Sequence, residues 1–194
     1  MNVSLRNPFR CAPRLTLVLI AVNVLSGCTT TQTTIAKPGL VRDDYAGEWV
    51  YTAKPIDTGS FADAVFSDLY LTSWLQGTFD DQGQRRVIQL YESISGQGAG
   101  GFIIQSAADS SGTPLTVHRV ERSYFQNFLG HAVSAPREVI AIDLPRDFLD
   151  QRQTSGLNIR LKGFNNATVI VQIPPEYLAS FLAEYDQAIA RNAK

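Results

Sequence analysis

The feature that most constrains the fold of this chain is a pattern of two strand-like segments joined by a short polar turn, which occurs three times. The segments and turns are 69–75 and 86–91 around Phe79–Gly83, 102–106 and 115–120 around Asp109–Pro114, and 158–161 and 168–173 around Gly163–Asn166. Asn, Asp and Gly favour such turns because they tolerate the positive φ that tight hairpins require. The pattern predicts three β-hairpins in succession.

Further segments add strands and helices to these hairpins. Glu48–Ala53 alternates aromatic or small side chains with others, and Glu138–Leu144 is mostly apolar, so both are predicted strands. The helix predicted at Glu176–Arg191 follows two prolines and carries an apolar stripe. A short helix is expected over Pro145–Gln151, whereas 61–68 fits either helix or strand.

These elements predict an α+β domain, in which an antiparallel β-sheet built from successive hairpins is covered by a C-terminal helix. An all-β sandwich is the alternative. The domain is expected to span residues 39–194, because no second linker divides that part of the chain.

The first 27 residues have a different layout. Arg6, Arg10 and Arg14 precede an apolar run of 11 residues from Leu15 to Leu25, and no acidic residue occurs among them. A membrane-spanning helix needs about 20 apolar residues. The order of basic, apolar and small residues is that of a secretory signal peptide. Such a leader is either an ordinary signal peptide that is cleaved off or the signal peptide of a lipoprotein.

The run ends in Leu25-Ser26-Gly27-Cys28, which resembles the lipobox of bacterial lipoproteins. The resemblance implies that a diacylglyceryl group is attached to the Cys28 thiol, that the leader is cut between Gly27 and Cys28, and that the new amine is acylated. The expected covalent lipid would include palmitate, and it would tether the protein through the polar segment 28–38. In the lipoprotein class an aspartate after the lipidated cysteine favours retention in the inner membrane, so the resemblance implies that a protein with Thr29 is exported to the outer membrane, where the domain would face the periplasm or the cell surface.

Cysteine content and charge narrow the possible functions. Cys11 lies in the leader and Cys28 would carry lipid, so the mature domain is expected to have no disulfide or thiolate site. Removing the three leader arginines from 17 basic residues leaves 14 against 18 acidic residues, a net charge of about −4. Nucleic-acid binding is therefore not expected, because it requires a basic patch.

Motifs for a cofactor or a metal are weak. Gly96–Gly101 fits a dinucleotide-binding glycine pattern, but strand-like residues rather than a helix follow it, so we expect a loop and no cofactor. His118 and His131 lack the spacing of a metal site, although they could meet Asp143 or Asp147 in space. Within a regular strand His118 and Glu121 would lie on opposite faces. No catalytic residues are assigned.

The densest aromatic cluster is formed by Tyr124, Phe125, Phe128 and Leu129. A short helix that plugs the sheet would explain it, and an exposed patch that docks a partner protein or a lipid is the alternative.

Three functions remain as hypotheses. The first is a non-enzymatic accessory or protein-binding module of the bacterial cell envelope, anchored to the outer membrane. The second is a lipid-anchored periplasmic enzyme that acts on cell-wall or glycan material through carboxylates assembled in space. The third is a binder of a hydrophobic ligand in a pocket between sheet and helix.

Overall fold

The computed structural model describes residues 37–58, 60–61, 69–96, 103–125, 135–164 and 167–193. The strands are β1 Gly39–Asp43, β2 Glu48–Thr52, β3 Ile56–Asp57, β4 Ser60–Phe61, β5 Leu69–Asp80, β6 Arg85–Gly96, β7 Ile104–Asp109, β8 Pro114–Leu115, β9 Val117–Phe125, β10 Ala135–Asp143, β11 Leu157–Gly163 and β12 Thr168–Ile173. The helices are α1 Arg146–Asp150 and α2 Pro175–Asn192. Among the described residues, no helix is long and apolar enough to cross a membrane.

The strands of the described part of the chain form two antiparallel sheets. The larger sheet has seven strands. Six of them follow the order β1-β2-β5-β6-β10-β9, and the seventh, β3, pairs with β5 on the same side as β2. The smaller has five strands in the order β4-β12-β11-β7-β8. The predicted α+β class is thus confirmed, and its strands are divided between two sheets rather than joined in one.

Two predicted hairpins are confirmed and the third is corrected. β5 pairs with β6, and β11 pairs with β12. The segment 115–120 is not one strand, because the chain leaves the smaller sheet after Leu115 and enters the larger one at Val117. Only the two-residue strand β8 therefore completes the hairpin with β7.

The two sheets and α2 share one hydrophobic core. Its side chains come from the inner faces of both sheets and from one stripe of the helix. Fully buried members include Leu75, Phe79, Leu90, Ile94, Ile159, Leu161, Val171, Phe181 and Tyr185. The inward residues of β11 alternate with exposed ones along the whole strand, as in a sheet with one face in the core.

The C-terminal helix α2 begins at Pro175, one residue before the predicted start at Glu176, because proline fits the first helical turn, where no backbone N–H is required. The Asp186 carboxylate binds Arg146 at 2.8 and 2.9 Å and Arg85 at 2.8 Å. Partial burial alone would raise the pKa of Asp186, but these two arginines lower it. The ion pairs connect α2 to α1 and to the start of β6.

Gly77 on β5 lies directly against the Tyr185 ring of α2. A Cβ atom at this position would lie 2.6 Å from Cε2 of the fully buried Tyr185, whose hydroxyl donates to the Thr78 carbonyl at 2.6 Å. The helix backbone holds one end of the Tyr185 ring and the hydrogen bond to Thr78 holds the other, so the ring cannot move aside freely. We therefore expect Gly77→Ala to lower the free energy of unfolding by about 1–3 kcal/mol. Chemical denaturation of the full chain measures this cost.

The control for this prediction is a double-mutant cycle with Tyr185→Leu, which removes the ring that the added methyl group would meet. In that background the cost of Gly77→Ala should fall to a few tenths of a kcal/mol. An equal cost in both backgrounds would show that the close approach is not what requires glycine.

Candidate functional site

The outer face of the larger sheet, which points away from the common core, carries a row of side chains across four strands. Trp74 on β5 pairs in register with Tyr91 on β6, which pairs with Ala141 on β10, and Ala141 pairs with His118 on β9. The Trp74 and Tyr91 rings are stacked with centroids 5.3 Å apart. Side chains two residues apart on a strand share a face, which places Gln89 and Asp143 beside this row.

A chain of hydrogen bonds joins the polar members of this face, here called the outer-face network: Tyr91, Gln89, Asp143 and His118. The Tyr91 hydroxyl donates to Gln89 Oε1 at 3.1 Å, and Gln89 Nε2 donates to Asp143 Oδ1 at 2.8 Å. The other Asp143 oxygen lies 2.8 Å from His118 Nε2. The network therefore ends in an imidazole that a carboxylate holds in one orientation.

Burial and hydrogen bonding shift the pKa values of this network in opposite directions. Burial alone would raise the pKa of Asp143, but the hydrogen bonds from Gln89 and His118 lower it below its ordinary value. Burial raises the pKa of Tyr91, and the nearby Asp143 charge raises it further. The tyrosine therefore remains a neutral hydrogen-bond donor and the aspartate an anion near neutral pH.

A β-bulge on β9 changes which residues share this face. The register pairs Ala141 with His118 but Val139 with Glu121, so Val120 is the extra residue. His118 and Glu121 consequently lie on the same face, and the expectation from a regular strand is wrong. Val120 itself is 52% exposed.

The same face of the sheet continues into a groove over β1, β2 and β5, here called the β1 groove. It has a volume of about 490 Å³. Its lining residues are Lys37, Val41, Arg42, Asp43, Asp44, Tyr45, Val50, Thr52 and Gln76. Val41 is 58% exposed and Tyr45 is fully exposed, although both have large apolar side chains. Gln76 pairs in register with Gln89, which places the groove next to the outer-face network.

The inner face of the larger sheet holds an acid in the core. Glu92 on β6 is completely buried between Leu90 and Ile94, and it pairs in register with Ser73 on β5. The Ser73 hydroxyl donates to Glu92 Oε2 and also shares a hydrogen bond with the Thr58 hydroxyl. Glu92 Oε1 has no hydrogen-bond partner among the described residues. Burial raises the pKa of Glu92 to about 8, because its effect is larger than the opposing effect of the Ser73 hydrogen bond.

A second buried acid on the next strand is satisfied by its neighbours. Glu138 on β10 accepts a hydrogen bond from Arg119 Nε at 2.9 Å and one from the Ile104 backbone N–H at 3.0 Å. Because Ile104 begins β7, this carboxylate links the larger sheet to the smaller one. Glu92 and Glu138 both occupy positions where the alternation of inward and outward side chains along a strand requires an inward one. This alternation is the sequence signal that could have identified them as buried acids.

Most of the site residues predicted from the sequence lie outside the described part of the chain. Gly27, Cys28, Phe128, Leu129 and His131 belong to this group. Tyr124 and Phe125 belong to β9, and their side chains are outside the description. The aromatic patch and the lipidation site therefore stay predictions.

The predicted glycine loop begins at Gly96, the last residue of β6, and positions 97–102 are outside the description. His118 does meet Asp143, one of the two partners considered for it. Within the described residues, no three His, Cys, Asp or Glu side chains lie close enough together to hold a metal ion.

Comparison of the chain with protein-family models, with curated proteins and with solved structures finds no match. The chemistry of the described surfaces is therefore the structural basis for a functional argument.

Proposed function

We propose that this chain is a lipoprotein anchored to the outer membrane through a covalent lipid on Cys28, and that its folded domain is a non-enzymatic accessory or protein-binding module of the bacterial cell envelope. The observation that carries the anchoring is the order of three arginines, an apolar run and Leu25-Ser26-Gly27-Cys28. Two or more acyl chains give stable membrane attachment, whereas one chain holds only marginally.

The β1 groove supports binding as the task of the domain. Exposed large apolar side chains beside a groove are typical of surfaces that bind another protein. Val41 and Tyr45 provide such side chains, and the charged groups of Arg42, Asp43 and Asp44 surround them. Among the described strands β1 pairs only with β2, which makes it an edge strand. A partner could therefore gain both apolar contacts and backbone hydrogen bonds there.

The outer-face network gives the enzyme hypothesis less support than binding. A histidine oriented by an aspartate can act as a base, but it then needs a nucleophile or a reacting group within reach. Among the described side chains, His118 hydrogen bonds to Asp143 alone. The Tyr91 phenol is joined to this pair through Gln89, and it stacks on the indole of Trp74, which is itself buried.

Capture of a partner with the full-length lipidated protein tests the binding proposal. We expect one envelope protein to co-purify in near-stoichiometric amount from detergent extracts. Val41→Asp together with Tyr45→Ser should reduce its recovery at least tenfold, because anchors at the centre of an interface contribute most of its affinity. Phe164→Ser is the matched control, since Phe164 is 66% exposed in the turn after β11.

The predicted aromatic patch is tested in the same experiment with Phe128→Ser. Loss of the partner with this variant alone would place the docking surface at Tyr124, Phe125, Phe128 and Leu129 rather than in the β1 groove. Equal recovery with every variant, or no stoichiometric partner with the wild-type protein, would contradict the binding module.

A further inference from the structure

The outer face of the smaller sheet carries polar side chains in register across three strands. On β11 the outward residues are Asn158, Arg160 and Lys162, and each is exposed. Asn158 pairs with Gln172 on β12, and Arg160 lies between Ile170 on β12 and Ala108 on β7. No acidic side chain is therefore paired across either neighbouring strand from Arg160.

A groove of about 370 Å³ lies on this face, here called the Arg160 groove. Its lining residues are Asp109, Ser110, Asn158, Arg160, Ile170 and Gln172. Its volume falls within the range of sites for small molecules, about 300–1,000 Å³. It offers one guanidinium, two amide side chains and one hydroxyl around the apolar side chain of Ile170.

The cations of this face differ from most of the described arginines. The arginines at positions 42, 85, 86, 119, 146 and 152 each bind a carboxylate at 3.2 Å or less. Within the described part of the chain, neither Arg160 nor Lys162 takes part in an ion pair or a side-chain hydrogen bond. Their charge is thus uncompensated, in a chain whose formal net charge is −1.

Asp109 also lines the groove, but it forms its ion pair with Arg152 and none with Arg160. Asp109 Oδ1 accepts hydrogen bonds from the Ser111 hydroxyl and from the backbone N–H groups of Ser111 and Thr113, at 2.6 to 2.9 Å. Its other oxygen binds Arg152 at 3.0 Å. The hydrogen bond from Ser111 is the main cause that lowers the pKa of Asp109.

We propose that the Arg160 groove binds a saccharide that carries a carboxylate. The Arg160 guanidinium would bind the carboxylate through two parallel hydrogen bonds, a geometry that its planar fork matches. The amides of Asn158 and Gln172 each offer a donor and an acceptor to neighbouring hydroxyl or acetamido groups. Ile170 would contact the C–H face of the sugar ring.

Two features favour this ligand over a bare anion. The groove is many times larger than an inorganic anion needs, since a water molecule occupies about 30 Å³. Its two amides and its hydroxyl also match the uncharged polar groups of a sugar. The Arg160 groove lies on a different sheet from the β1 groove, and ligand binding there does not depend on the lipid anchor.

The test compares two sugars that differ in the carboxylate. N-acetylmuramic acid carries a carboxylate on a ring that also bears an acetamido group, and N-acetylglucosamine has that ring and acetamido group without the acid. Titration of the full chain in detergent should show at least roughly tenfold tighter binding of the acid, the usual size of one charge-assisted hydrogen bond. Inorganic phosphate serves as the probe for a simple anion site.

Three variants test whether Arg160 causes the preference for the acidic sugar. Arg160→Gln should remove the preference for the acid, and Arg160→Lys should retain part of it, because the charge stays while the fork is lost. Arg191→Gln is the matched control, since it removes the same charge from an exposed position on α2 and should leave the preference unchanged. Circular dichroism establishes that each variant is folded.

The proposal is overturned if the wild-type protein binds the two sugars equally or binds neither. It is also overturned if Arg160→Gln retains the preference, or if inorganic phosphate binds as tightly as the acidic sugar. The last result would identify a small-anion site in place of a saccharide site.

Discussion

Replacing Glu92 with glutamine is expected to remove most of the pH dependence of folding stability between about pH 4.5 and about pH 8. Glu92 is completely buried, and burial raises its pKa from 4.5 to about 8. Each pKa unit corresponds to about 1.4 kcal/mol of difference between folded and unfolded states. The wild-type protein should therefore lose about 5 kcal/mol of its free energy of unfolding over this range.

The direction of this pH dependence follows from how many protons the folded and the unfolded protein bind. Between the two pKa values the folded protein keeps the Glu92 proton, whereas the unfolded chain has released it. Stability is therefore greatest below pH 4.5 with respect to this group, and it falls as the pH rises towards 8. Asp143 and Asp186 act in the opposite sense, because their pKa values are lowered and their contribution is lost on acidification.

Urea unfolding of the full chain at pH 5, 7 and 9 measures this dependence. Glutamine keeps the shape of the side chain and still accepts the Ser73 hydrogen bond, but it has no proton to release. Glu176→Gln is the control, because it makes the same chemical change at an exposed position. A wild-type stability that stays constant over this range, or a Glu92→Gln protein that retains the slope, would contradict the account.

The elements of the fold are predictable wherever local chemistry determines them. The turn after β5 has Asp80 Oδ1 accepting from the backbone N–H groups of Gln82 and Gln84, with Gly83 at a φ of 75°. The turn after β7 repeats this arrangement with Asp109 and with Gly112 at a φ of 88°. Both depend on residues within the turn, so the sequence contains enough information to place them.

The pairing between sheets is not local, and the sequence did not reveal it. The strand propensity of 115–120 is continuous, but tertiary contacts divide it at Thr116 between two sheets. The bulge at Val120 is likewise determined by pairing with β10, and it brings His118 and Glu121 to one face. Propensity reports which residues can form strands, whereas packing determines their partners.

The candidate sites also divide into those that a local sequence pattern indicates and those that depend on tertiary structure. Acids inside the core run against the usual distribution of glutamate, so Glu92 and Glu138 were not expected there. The Arg160 groove becomes visible only once the two partners of β11 are known, because its lack of an acidic neighbour is a property of the register. The proposed anchor, in contrast, depends on a contiguous sequence pattern, Leu25-Ser26-Gly27-Cys28, and that pattern lies outside the described residues.

Replacing Cys28 with serine is expected to abolish lipid attachment completely. The thioether bond requires the sulfur of cysteine, and a serine hydroxyl is a much weaker nucleophile at neutral pH. Without the lipid, the lipoprotein peptidase would leave the leader intact, so the variant should keep residues 1–27. Cys11→Ser is the matched control, because Cys11 is the only other cysteine of the sequence, lies within the proposed leader and should have no role in lipid attachment.

Metabolic labelling with radioactive palmitate, combined with the mass of the mature protein, tests the central claim most directly. The wild-type protein and Cys11→Ser should incorporate the label and begin at a lipid-modified Cys28. The Cys28→Ser protein should incorporate none and retain its leader. Unchanged labelling of Cys28→Ser, or an unlabelled wild-type protein that begins elsewhere, would contradict the claim that this domain is tethered to the envelope by a lipid.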